Sequence, residues 1–135
     1  MEDVKSIGRL LDRLYQKLGR RYGCLSRPQR RFLQTIASAD GIGVKDLSNF
    51  LEITAAGATR MLDSLENEGY IERRRQVHDA RHVKVFLTER GVKVLAEADE
   101  VYLSRLNELL TSLSSDERRM LNQLLKKVDL TDDGR

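Results

Sequence analysis

Residues 52–69, EITAAGATRMLDSLENEG, open on a capping residue, carry one apolar stripe and close on a glycine. The Thr54 hydroxyl can accept a hydrogen bond from a first-turn N–H. Ala58, Met61, Leu62 and Leu65 then recur at helical spacing. Gly69 supplies the usual C-terminal stop. Just upstream, Val44 to Leu51 reads as a shorter helix with Leu47, Phe50 and Leu51 apolar, and only Glu52-Ile53 separates the two. Two helices on so tight a linker make a helix-turn-helix.

Past Gly69 the period changes from helical to two. Val83, Val85 and Leu87 alternate with His82, Lys84 and Phe86, and Tyr70 to Arg75 supplies a partner strand of matching length. The intervening residues, Arg75 to Arg81, form the tip of a β-hairpin. A wing therefore follows the second helix directly, and its sequence, RRRQVHDARH over residues 73–82, holds four arginines.

Further elements flank this centre. Val4, Ile7, Leu11, Leu14 and Leu18 lie three and four residues apart, a heptad seam on a first helix that should end around Tyr22. Ser26-Arg27-Pro28-Gln29 has the form of a capping box, and Phe32, Leu33, Ile36 and Ala37 give the buried face of the helix it starts. Ala39 to Gly43 reads as a turn. Thr88 should cap a long helix with a stripe through Val92, Leu95, Tyr102, Leu106, Leu109 and Leu113, where Asp99 occupies the place of a seam residue. Ser114 to Glu117 is a second capping box, opening a last helix with Leu121, Leu124 and Val128 inward.

Composition bounds the reading. The 135 residues suit one domain, with one proline and no tryptophan, and the fold class is mainly α with a small β-hairpin wing. No apolar run is long enough to span a membrane, and the N-terminus lacks a signal-peptide pattern. A single cysteine fits a reducing cytoplasm. The formal charge is +3, with nine basic against four acidic residues in 1–40, eight of each in 41–91, and seven against nine in 92–135.

This arrangement points to double-stranded DNA. In a helix-turn-helix the second helix enters the major groove N-terminus first. Thr59 and Arg60 face away from the core stripe and can reach base edges. Thr54, Ala55, Ala56 and Gly57 allow close approach of backbone N–H groups to phosphate. An arginine-bearing hairpin suits the narrow minor groove, with Arg73, Arg75, His78, Arg81 and Lys84 as candidate contacts. Asp79 is better read as structuring the wing than as touching phosphate. Arg27 and Arg30, at a helix start, are candidates for flanking phosphates.

Three pieces carry a family resemblance: LSRPQRRFLQTI (25–36), VKDLSNFLEITAAGATRMLDSLENEGYIERR (44–74) and DARHVKVFLTERG (79–91). Together they resemble the MarR family (multiple antibiotic resistance regulators), most specifically in the D-x-R wing signature at Asp79 and Arg81. Tyr70 stands where the family usually has Leu. The Ala-Ala-Gly-Ala start of the second helix is poorer in polar side chains than is usual, which shifts weight from base readout to shape and backbone contacts. The resemblance implies a winged helix-turn-helix lobe over 25–91. Residues 1–24 and 92–135 would dimerise within one 1–135 domain, and the dimer would bind a pseudo-palindromic site. It commonly implies a small-molecule effector between the two parts. The heptad seams independently favour a homodimer through Val4, Ile7, Leu11, Leu14, Leu18, Leu106, Leu109, Leu113, Leu121 and Leu124, since a winged-helix core of about 65 residues is too small to cover them.

Other chemistry finds little support. Cys24 beside Arg20, Arg21 and Arg27 is the candidate for a redox-responsive alternative. His78 and His82 lack the further ligands a metal site needs. No catalytic triad, paired carboxylates or phosphate-cradling loop occurs, so neither an enzyme nor a cofactor is expected. A winged-helix protein-interaction module without DNA binding is the alternative from another class.

Overall fold

The computed structural model describes residues 1–77 and 79–130, except the side chains of residues 79–81 and 130. In chain order the elements are α1 (Glu2–Leu18), β1 (Arg21–Tyr22), β2 (Leu25–Ser26), α2 (Arg27–Ala37), β3 (Ile42–Gly43) and α3 (Val44–Leu51). There follow α4 (Ala55–Asn67), β4 (Ile71–Gln76), β5 (Asp79–Leu87), α5 (Glu89–Leu109) and α6 (Ser115–Leu130). The chain divides into two compact units, Met1–Tyr102 and a second beginning at Leu103.

The first unit is built around α2, α3, α4 and the sheet. Leu25, Leu33, Leu47, Ala58, Leu62, Leu65 and Val85 are completely inaccessible, and Ile36, Ile71 and Tyr22 nearly so. The inner stripe of α4 falls where its spacing placed it. Thr54 caps that helix by accepting from Gly57 N at 3.0 Å, and Gly69 leaves it at φ 80°. Between α3 and α4 the backbone turns through Glu52 at φ 56°, the one non-glycine residue with positive φ among those described. Ile53 N closes the turn onto Ser48 O at 3.0 Å.

The sheet has the order β3-β5-β4 and is antiparallel throughout. Residues 39–43 are therefore more than a turn: Ile42 and Gly43 pair with Val85 and Lys84 and make β5 the central strand. A two-residue strand has no periodicity to betray it. In the hairpin, Arg73 lies opposite Val85 and Arg75 opposite Val83, and the register shifts between Arg75 and Gln76. The strands continue to Gln76 and from Asp79, so the tip is shorter than the Arg75–Arg81 read from the sequence.

Several expectations about side chains give way. α1 stops at Leu18, before Tyr22, because Gly19 takes φ 87° and Arg27 reaches back to bond Tyr15 O at 2.9 Å and Gly19 O. A cation on those last carbonyls is a favourable C-cap. The chain then forms the β1–β2 hairpin, which buries Tyr22 and Leu25. The capping box of α2 is present in both directions, at 2.7 and 3.2 Å. Its buried face holds Thr35, whose hydroxyl donates to Arg31 O at 2.9 Å, while Ala37 is exposed. Phe50 and Val92, apolar positions at helical spacing, are 67% and 56% exposed in the single chain; Ser48 and Val94 are the buried neighbours.

Thr88 starts α5 by accepting from Gly91 N at 3.0 Å and donating to Gly69 O at 2.6 Å. In the second unit α5 ends at Leu109, so Leu113 lies in the connection rather than on the helix. The Ser114–Glu117 capping box is complete, at 2.8 and 3.2 Å. The backbone and hydroxyl of Ser114 hold the Glu117 carboxyl below its ordinary pKa. Arg118 donates to Leu110 O at 2.8 Å, closing the turn into α6.

A Cβ at Gly91 would fall 2.0 Å from Tyr70 O, a backbone atom that cannot swing aside. Gly91→Ala is therefore expected to cost about 3 kcal/mol and to lower Tm by roughly 10 °C, followed by circular dichroism. An unchanged melting temperature would show that α5 can slide away from Tyr70.

Candidate nucleic-acid interface

The start of α4 is the most open part of the helix-turn-helix. Thr54, Ala55, Ala56, Thr59 and Arg60 are all exposed, Gly57 is half-buried, and Ala58 turns into the core. The unpaired N–H groups of that first turn, with the positive end of the helix dipole, make it attractive to anions. A Cβ at Gly57 would sit 3.1 Å from the Thr54 hydroxyl that caps the helix, so glycine keeps the cap unhindered.

Beside it stands the wing. Arg75 is exposed on β4. Lys84, half-buried on β5, joins Lys45, Asp46 and His82 around a cleft between the wing and the start of α3. Val77, near the tip, is 94% exposed. Of the residues predicted for the tip, His78 and the side chains of Asp79 and Arg81 lie outside the described residues.

Three arginines expected at DNA are engaged within the protein. Arg30 is largely buried and places Nε 2.7 Å from Asp99 Oδ1; its guanidinium lies 4.1 Å from the Tyr102 ring centroid and 5.5 Å from that of Tyr22. Asp99, the charge standing in an apolar seam, is thereby explained by a partner 69 residues away. Arg27 caps α1, stacks on Tyr15 at 3.4 Å and donates to Tyr22 Oη at 3.4 Å. Desolvation lowers the Arg27 pKa, but hydrogen bonding to Tyr22 and Tyr15 outweighs it and holds the group above its ordinary value.

Arg73 leaves β4 towards α4, ion-paired with Asp63, and its Nε is 3.8 Å from Glu66 Oε1. On the opposite face of the strand Arg74 bonds Glu72 at 2.7 Å and covers Phe86 at 4.1 Å. Sequence reasoning placed Glu66 only in the family motif and passed over Asp63, although their spacing of three residues puts both on one side of α4. Cys24 is exposed in the β1–β2 turn, where Arg21 donates to its carbonyl at 2.9 Å.

A capped helix that presents its first turn beside a two-stranded wing is the architecture of a winged helix-turn-helix DNA-binding protein. The MarR family model matches residues 25–83. Transcriptional regulator HosA of Escherichia coli is 35% identical, over 77% of each protein. An uncharacterised HTH-type transcriptional regulator of Bacillus subtilis, YdgJ, is 31% identical over 77% of this chain, which spans 63% of that relative's length. Among solved structures, a mutant MarR from Escherichia coli complexed with operator DNA superposes with a TM-score of 0.74 at 29% identity, covering 93% of this chain and 95% of that one. The chain belongs to the MarR family, whose members are transcriptional regulators and not enzymes.

Arg30 and Arg60 should separate cleanly when substituted. Arg30→Ala is expected to cost about 2–3 kcal/mol of stability by stranding Asp99, with the salt dependence of DNA binding unchanged. Arg60→Ala should leave stability within about half a kcal/mol of the parent and weaken DNA binding. If Arg60 contacts phosphate, the slope of log K against log salt should fall by about one. The reverse pattern would mean the two arginines had been assigned to the wrong faces.

Proposed function

We propose that this protein is a cytoplasmic homodimeric repressor that grips a pseudo-palindromic operator through α4 and the wing of each protomer. The exposed Thr59 and Arg60, one turn inside an open helix N-terminus and next to the wing, carry this reading. Thr54, Ala55, Ala56 and Gly57 bring backbone N–H groups to phosphate, and Arg75, Lys84, His78 and Arg81 serve the flanking groove. That a related MarR is complexed with operator DNA supports the same use of this fold here.

Dimerisation is supported by apolar surface left uncovered in the single chain. Val4, Ile7, Leu11 and Leu14 are between 43% and 57% exposed along α1, and Leu124 of α6 is 55% exposed. Leu18, Leu106, Leu109, Leu113 and Leu121 are half-buried. A two-fold pair of such subunits would present its recognition helices about 34–36 Å apart, one turn of DNA.

An effector site is supported by a cleft of about 440 Å³ lined by Tyr15, Tyr22, Tyr102, Arg27, Arg30 and Arg31. Its size suits a small molecule, and its rings and guanidinium groups suit an anionic aromatic one. Because Arg27 and Arg30 also hold α1 and α5, a ligand competing for them would alter how the DNA-binding elements are held.

The test is selection of duplexes from a random-sequence pool by the purified protein, followed by fluorescence anisotropy at two salt concentrations. A palindromic motif, binding that resists competitor DNA, and affinity that falls steeply with salt are expected. Leu11→Glu should convert the dimer to monomer in sedimentation and abolish tight binding to the full site. Recovery of no motif would instead favour a protein-interaction module.

A further inference from the structure

We infer that Arg73 is a positioning residue rather than a DNA contact: it braces the wing against the recognition helix so that the two meet DNA as one rigid body. This rests on the reading that α4 and the wing bind DNA together. Arg73 starts from the anchored part of the wing, opposite Val85, which is completely buried and is itself paired on its other side to Ile42. From there the side chain, only 25% exposed, crosses to α4 and takes Asp63. Its Nε is buried without a hydrogen bond, 3.8 Å from the Glu66 carboxylate. The guanidinium is thus turned into the protein, towards two carboxylates on one helix.

Asp63 is the informative partner. It lies four residues after Thr59, one turn along the same side of α4, and its side chain is 59% exposed. On charge alone an acid so near a phosphate surface opposes binding. A brace gives it a purpose. A two-stranded ribbon is at best marginally stable by itself, and the direction of this one relative to α4 needs fixing. Asp63 and Glu66 form the anchor, Arg73 the strut, and Arg75 lines the same cleft two residues further out. Two acids and two arginines leave that junction electrically balanced, so bringing it near DNA carries little net repulsion.

The two readings of Asp63 differ in sign. If Arg73 were simply a phosphate contact, Asp63→Asn would remove a repulsive charge and tighten binding. If Arg73 is a brace, Asp63→Asn frees the wing and weakens it, on the order of three- to tenfold. The experiment is a double-mutant cycle of Asp63→Asn and Arg73→Gln. It uses anisotropy on a fluorescein-labelled duplex that the wild-type protein has enriched from a random-sequence pool, with melting curves for each variant. Both single variants should bind more weakly, and the double variant no more weakly than Arg73→Gln alone. Hydroxyl-radical footprints of the single variants should lose protection in the flanking minor grooves and keep it at the recognition-helix sites.

Tighter or unchanged binding by Asp63→Asn, or additive effects in the cycle, would overturn the brace. Because Asp63 is exposed, that arm survives even if Arg73→Gln melts early. Failure of the wild-type protein to enrich any duplex would instead bring down the DNA-binding reading itself, a separate outcome.

Discussion

The carbonyl of Tyr70 is the point on which the DNA-binding lobe depends. Three elements converge there: α4 has ended just before Gly69, β4 is about to begin, and the chain returns from β5 into α5. Thr88 N donates to Tyr70 O at 3.0 Å while its hydroxyl donates to Gly69 O at 2.6 Å. The same hydroxyl accepts from Gly91 N, so one threonine closes the base of the wing and starts the next helix. Only a residue without a side chain can bring the first turn of α5 against that carbonyl. The recognition helix, the wing and the first unit's share of α5 are thus fixed to one another through a few backbone atoms.

Around this junction the arginines divide by what they can reach. Arg60 projects from α4 and is exposed. Arg27, Arg30 and Arg73 look equally available in the sequence, yet each turns inward to carbonyls, an aromatic ring or a carboxylate. Guanidinium serves both uses because it is weakly hydrated, planar and rich in donors. A basic chain can therefore spend much of its positive charge on holding itself together, and net charge overstates what is presented to a polyanion.

The difference between legible and illegible features follows the range of the interaction. Caps, the α4 stripe and the main hairpin were readable because donor and acceptor, or successive core residues, lie within a few positions of each other. The end of α1 at Leu18 depends on Arg27, whose bond to the Tyr15 carbonyl spans 12 residues, so the helix appears longer in sequence than it is. β3 acquires its strand character from β5, and Asp99 its meaning from Arg30. Phe50 and Val92 are exposed in the single chain for the converse reason: an apolar side chain near a core pattern need not be inside. At the interface, the exposure of Thr59 and Arg60 followed from helical phase, whereas the inward turn of Arg73 required knowing what stands across from β4.

The sheet order has a mechanical consequence. β5 is gripped on both sides only where Ile42 and Gly43 meet Val85 and Lys84; from Val83 outward it has β4 alone. The wing is thus a cantilever, clamped at its root to the strand that leads straight into α3. Bending near the clamp is resisted by three strands, and from Val83 to the register shift at Arg75 and Gln76 by two. Such a beam keeps its bearing on the helix-turn-helix at the clamp, and its stiffness falls with distance along the two paired strands.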